Sequence, residues 1–298
     1  MFHFTRFHQR LLLPALACLL AAAALFAPSA AQAASSATTI DLTDHATNGG
    51  GGWDWMYSGG VFTVTGPTSI TITGAVSDGT YIAIQSGITA NLTLADGVSI
   101  TTNTYGTAPI AMGSGSTLNL TLAAGTSALT NFYGAGIWVL SDATLNILGA
   151  STGTLQATGG NSGAGIGGEQ NIGFESNGTI IISGGTVIAV GSNGGAGIGG
   201  GGNVGFAGGV AGSITINGNA SVTAIGGAAD MGGAGGAGIG GGGTGNGVGG
   251  ASGSITIGGN ASVTAIGGSG ELADFNSGGG AGIGGGGGSV NPAAGRAR

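Results

Sequence analysis

The residues of this sequence best suited to chemistry are a group of aromatic side chains. Trp53, Trp55, Tyr57, Tyr81, Tyr105, Tyr133 and Trp138, with Phe132 among them, all precede the most regular part of the chain. An aromatic face carries a negative quadrupole. The C–H face of a sugar ring stacks on such a surface without help from a cation. These seven Trp and Tyr residues are therefore carbohydrate-contact candidates. The plainer reading of any one of them is packing at the start of the fold.

The acids offer two other kinds of chemistry. Glycoside hydrolysis needs two carboxylates roughly 5–10 Å apart. Asp54, Asp78, Asp96 and Asp142 are widely separated along the chain, and Asp78-Gly79 and Asp96-Gly97 read as turns. Lyase chemistry needs a cation as base or charge stabiliser, and no Lys or Arg occurs between residues 11 and 295. The sequence argues against an enzyme and names no catalytic residue. Calcium is the one ion it could take. Glu169, Glu175, Asp230, Glu271 and Asp274 lie in variable turns and could supply oxygen ligands. Calcium-binding β-rolls place an Asp in each Gly-rich turn, and the turns at 199–205 and 240–247 have none. Solvated turn carboxylates are thus the plainer reading.

Charge excludes more than it suggests. The formal net charge is −7, and the four basic residues are Arg6, Arg10, Arg296 and Arg298. Such a surface repels nucleic acid and anionic membranes. It has no cation to clamp phosphate or uronate groups. A G-x-G-x-x-G pattern occurs literally at Gly195, Gly197 and Gly200, but more glycine and a strand follow it. A dinucleotide site needs a helix there, so neither a nucleotide nor an organic cofactor is expected.

The elements that must position these side chains are written in repeats. Gly-Ala-Gly-Ile-Gly-Gly stands at 163–168, 195–200, 236–241 and 280–285, with a degenerate copy at 134–138. Between copies lie short segments in which apolar residues alternate with Thr or Asn. They begin at Ile70, Leu92, Leu118, Leu145, Ile180, Ile214 and Ile255. Alternation of this kind marks strands with one buried face. A second strand follows in most repeats, as in Val222-Thr223-Ala224-Ile225 and Val263-Thr264-Ala265-Ile266. Three strands per repeat and no helical period predict a stacked solenoid. The expected fold is an all-β, right-handed parallel β-helix of about seven three-strand rungs, because parallel crossovers are right-handed. An aromatic N-terminal cap should close its first end. Outward Thr at 215, 256, 223 and 264 raises an ice-binding array, which Asn146 and Ile181 interrupt. The lengthening turns, such as 192–193, 228–234 and 269–279, are expected to form a ridge at one corner.

The first 33 residues read as a secretory signal peptide. Arg6 and Arg10 precede an apolar run, and Ala31-Gln32-Ala33 gives the cleavage pattern. Cys18 is the only cysteine and lies within that segment, so the mature chain has no disulfide. The expected organisation is signal peptide 1–33, leader and cap 34–66, parallel β-helix 67–288 and tail 289–298. No membrane span is expected after cleavage. Secretion or cell-surface display follows.

The Gly phrases, their Gly-x-Ile-x-Ile and Val-x-Ala partners, and the stretch from Tyr81 to Leu94 resemble a group of bacterial exported β-helix proteins. These are described as carbohydrate-binding domain-containing and occur in large adhesin-like surface proteins. The likeness covers roughly residues 53–288. It implies export, a β-helix and contact with polysaccharide or a host or cell-surface glycan, with calcium in places. It carries no ligand residue over to this chain. The expected function is a non-catalytic, adhesin-like display surface. The alternative is a rigid spacer or passenger segment of a longer surface protein, and a polysaccharide lyase or glycoside hydrolase comes third.

Overall fold

The structure, a computed structural model, describes residues 39–44, 54–67, 69–170, 176–203, 205–229, 233–271 and 277–289. The expected signal peptide lies outside these residues, as do Trp53, Glu175, Asp230 and Asp274.

Among the described residues the regular structure is all strand. Strands β1 (Thr39–Asp41) and β2 (Trp55–Ser58) precede seven coils. The first coil is β3 (Val61–Val64), β4 (Ser69–Thr73) and β5 (Ala75–Val76). The second is β6 (Tyr81–Ile84), β7 (Thr89–Leu94) and β8 (Ser99–Thr102). The third is β9 (Ile110–Met112), β10 (Thr117–Leu122) and β11 (Thr126–Asn131). The fourth is β12 (Ile137–Val139), β13 (Thr144–Ile147) and β14 (Thr154–Thr158). The fifth is β15 (Ile166–Gly167), β16 (Thr179–Ile182) and β17 (Thr186–Val190). The sixth is β18 (Ile198–Gly199), β19 (Ser213–Ile216) and β20 (Ser221–Ile225). The seventh is β21 (Ile239–Gly240), β22 (Ser254–Ile257) and β23 (Ser262–Ile266), and β24 (Ile283–Gly284) follows.

Each coil contributes one strand to each of three sheets. Face one runs β2-β3-β6-β9-β12-β15-β18-β21-β24, face two β1-β4-β7-β10-β13-β16-β19-β22, and face three β5-β8-β11-β14-β17-β20-β23. Neighbouring coils pair in parallel, so the chain is a three-faced parallel β-helix. Among the strand pairs the antiparallel β2–β3 is the exception.

Like residues stack on like, and these columns are the core. On face one Phe62, Ile82, Ile110, Ile137, Ile166, Ile198 and Ile239 are in register and buried. On face two Ile70, Leu92, Leu120, Ile147, Ile182 and Ile216 do the same. Each such side chain contributes about 1.5–3 kcal/mol on burial. On face three the column narrows from Ile100 and Leu129 to Ala157, Ala189 and Ala224. The columns end at the seventh coil and the strand after it, where Ile257 is 42% exposed and Ile283 49%.

The first end is closed by aromatics. Trp55 and Phe62 are buried with ring centroids 6.0 Å apart, and Tyr57 lies 4.5 Å from Phe62. Strand β2 covers the edge of β3, and β1 pairs in parallel with β4.

The Gly phrases form their own ladder. Ile166 N–H donates to Gly197 O at 3.0 Å and Gly168 N–H to Gly199 O at 2.7 Å. The next coil repeats both bonds, from Ile198 to Gly238 O and from Gly200 to Gly240 O. In the four full phrases the residue after Ile has positive φ and needs glycine. Gly199 has φ +136°, and a Cβ there would sit 1.9 Å from Gly240 O.

The lengthening turns are not confined to one corner. The corner between faces three and one grows to 226–238 and 267–282. The corner between faces one and two also grows, from 85–88 to 168–178, 200–212 and 241–253. There Gly242 N–H bonds Gly209 O at 2.9 Å and Gly250 N–H bonds Gly242 O at 2.8 Å. Backbone laid on backbone therefore fills this corner.

Candidate functional site

The corner where face three passes to face one carries an open groove of about 760 Å³. Its lining comes from connections of successive coils: Asn103, Phe132 and Tyr133, Asn161, Ser192 and Asn193, and Ala228. Strand register explains the gathering. Thr130 pairs with Thr158, and Thr158 follows the same alignment to Val190 and Ile225. Counting three residues on from each places Tyr133, Asn161, Asn193 and Ala228 at matching points of four successive coils. The lining residues carry no formal charge.

Two aromatics of this lining stand out into solvent. Phe132 is 58% exposed and Tyr133 46%. Yet the backbone beneath Tyr133 is fixed by buried polar side chains. Asn131 Oδ1 accepts the Tyr133 N–H at 2.9 Å, and Asn131 Nδ2 donates to Thr107 O and Ala135 O, both at 3.1 Å. Gln170 Nε2, from the next coil, donates to Tyr133 O at 2.5 Å. An exposed ring on a fixed backbone loses little freedom when a ligand arrives.

Glu169 completes that support. It is only 3% exposed, in the space left by Gly134, whose added Cβ would lie 1.7 Å from Glu169 Oε1. Its carboxylate accepts the Ala135 N–H at 3.4 Å and the Gln170 N–H at 3.3 Å. Burial pushes its carboxyl up to about 7, against the pull of those two N–H groups. The amide oxygen of the buried Gln170 has no hydrogen-bond partner.

The sequence candidates separate into distinct settings. Tyr105 is 63% exposed on the connection one coil before Tyr133, close in sequence to Asn103 of the groove. Trp55 and Tyr57 lie in the cap. Tyr81 is half-buried at the start of β6, and burial raises its phenol pKa. Trp138 points outward from face one, between Ala111 and Gly167 in register. Its indole N–H is buried without a hydrogen-bond partner. Thus Tyr105 and Tyr133 share the groove corner, and Trp55, Tyr57, Tyr81 and Trp138 stand elsewhere on the stack.

Asp78, Asp96 and Asp142 lie at three different corners, and each supports a turn. Asp78 Oδ1 accepts Thr80 N–H at 3.0 Å, and Asp96 Oδ1 accepts Thr126 N–H from the next coil at 3.0 Å. Ser114 Oγ donates to Asp142 Oδ2 at 2.5 Å, which with the Gly115 N–H lowers that carboxyl's pKa. Glu169 and Glu271 are separated by strands β16–β23. Among the described residues no three His, Cys, Asp or Glu side chains come together as a metal site. Nor is any helix there long and apolar enough to cross a membrane.

Sequence reading missed Asn103, Phe132, Asn161, Ser192 and Asn193 as a group. The available signal was Asn at matching places before two Gly phrases, in Gly160-Asn161-Ser162 and Ser192-Asn193-Gly194. No protein-family model, curated protein or solved structure matches the chain.

Proposed function

We propose that the protein is an exported, non-catalytic, adhesin-like β-helix that contacts polysaccharide at the Tyr133 corner. One observation carries this reading: an exposed aromatic pair, Phe132 and Tyr133, rests on a backbone held by buried Asn131 and Gln170 beside an uncharged groove. A sugar polymer would bind by ring stacking and by weak contacts repeated coil after coil. Asp78, Asp96 and Asp142, each at a different corner and bonded into a turn, speak against a carboxylate pair for hydrolysis. Secretion follows from residues 1–33 as read in the sequence.

The test is retention of the secreted chain on a panel of immobilised polysaccharides, with calcium and with chelator. Exchanging Phe132 and Tyr133 for Ala should abolish retention and leave the circular dichroism unchanged. Retention that survives the double exchange would remove this corner as the contact site. Loss on chelation would show that calcium takes part in the contact. A second reading, a rigid spacer within a longer surface stack, draws on the exposed inward Ile257 and Ile283 of the last strands.

A further inference from the structure

We infer that the groove takes one uncharged polysaccharide chain lying along the stacking direction, with Asn161 and Asn193 as its hydrogen-bonding residues. This rests on the reading that the corner contacts polysaccharide and adds its ligand class, direction and polar contacts.

Backbone conformation is the first argument. Among the described residues the non-glycine positions with positive φ are Asn161 (42°), Ser162 (76°) and Asn193 (46°). All three fall at this corner. Elsewhere the chain gives such positions to glycine, as at Gly218, Gly253 and Gly259. Asn tolerates the left-handed region better than most residues, but glycine adopts it without steric cost. A chain with 73 glycines has placed an amide side chain at the same point of two adjacent coils. Side chains kept in sparsely populated backbone regions gather at ligand sites.

The second argument is chemical. An amide offers two donors and one acceptor oxygen, which suits hydroxyl groups that both give and accept hydrogen bonds. The lining residues carry no charge, and all four basic residues of the chain lie within ten residues of its two ends. A uronate or sulfated polymer would leave its charges unpaired against this surface, whereas a neutral one loses nothing.

Direction follows from the spacing. Coils repeat at about 4.8 Å, a distance of the same order as one sugar ring along its chain. A polymer parallel to the stack therefore meets Tyr133, then Asn161, then Asn193, each on a separate coil. Ala228 ends that series of contacts.

The experiment titrates the full chain with a neutral glucan, a neutral mannan and polygalacturonate by affinity electrophoresis. The wild type is compared with an Asn161→Gly/Asn193→Gly double variant, whose thermal unfolding is followed in parallel. Glycine suits both backbone positions, so the variant should keep or raise its melting temperature. Its affinity for the neutral polymer should fall about tenfold or more. Equal affinity in the double variant, or preference for polygalacturonate, overturns the inference while leaving polysaccharide contact standing. A wild type that binds none of the polymers removes the broader reading and this one together.

Discussion

Outward along face one the register runs Thr63, Ala83, Ala111 and Trp138 through the fourth coil, and then Gly167, Gly199, Gly240 and Gly284. Face two changes at the same level. Asn91, Asn119 and Asn146 form a chain of side-chain amide bonds, 2.9 Å at each step, and the same column continues as Ile181, Thr215 and Thr256. The early coils are thus tied together by side chains as well as backbone. The late coils keep fewer such ties, such as Asn260 Nδ2 to Asn219 Oδ1 at 3.3 Å, and add backbone laid on backbone, which glycine alone permits. The groove lies across that change, with Tyr133 on the early side and Asn193 on the late side. The difference teaches where such a fold can carry recognition: on coils whose corners still hold side chains.

The contrast is broken most directly at a late glycine. Gly199→Ala places a Cβ 1.9 Å from the Gly240 carbonyl at a residue with φ +136°. Backbone strain and overpacking together should cost about 4 kcal/mol or more. Gly87→Ala is the early-coil control. Its φ is +75°, but nothing lies within 4 Å of the added Cβ, so a loss of about 1 kcal/mol is expected. Urea unfolding followed by circular dichroism measures both. Equal costs would show that the late coils are not held by backbone contact.

The stack itself was legible because its signals are local. Ile-Thr-Ile alternation marks each strand, and identical Val-Thr-Ala-Ile segments announce their own register, with Val222 over Val263 and Ala224 over Ala265. The corners were not legible, because their contents are set between coils. Nothing next to Glu169 in sequence signals burial. Its space is made by Gly134, thirty-five positions earlier, one coil below. Trp55, between Asp54 and Met56, and Tyr133, between Phe132 and Gly134, each have one large apolar and one small or polar neighbour, yet one is buried in the cap and the other exposed. That outcome depends on whether a strand or an open corner lies over the ring. The growth of the second corner was hidden for a similar reason. Glycine tracts such as 199–202 carry no alternation to show where a strand stops and a turn begins.

Glu169 sharpens the comparison at the boundary between the two blocks. Its folded pKa is raised from 4.5 to about 7 by burial. The folded state therefore holds a proton that the unfolded chain releases between those values. The stabilisation is complete below about pH 4.5 and is lost as pH rises through about 7. The expected loss is up to about 3 kcal/mol between pH 5 and pH 8. Glu169→Gln should flatten that slope and be the more stable form at pH 8, with urea midpoints at the two pH values as the measurement. A wild-type midpoint that rises over this interval in step with the variant would mean the carboxylate is charged and well accommodated in the fold.

The smallest effect isolates the side-chain ties of the early coils. Asn119 donates to Asn91 Oδ1 and accepts from Asn146 Nδ2, so Asn119→Ala removes two amide bonds on a half-buried face. A loss of about 1–2 kcal/mol is expected. Thr215→Ala, in the same column two coils beyond Asn146, should change stability by no more than about 0.5 kcal/mol. A double-mutant cycle between Asn119 and Asn146 decides whether the column acts through its bonds or only through the bulk of its side chains. Coupling of about 0.5–1 kcal/mol would support bonding along the column. Additivity within about 0.3 kcal/mol would reduce it to two independent surface residues. In that case the Asn column would add nothing beyond ladder and core, and the side-chain bonds between coils that matter would be those at the corners, such as Gln170 to Tyr133 and Asp96 to Thr126.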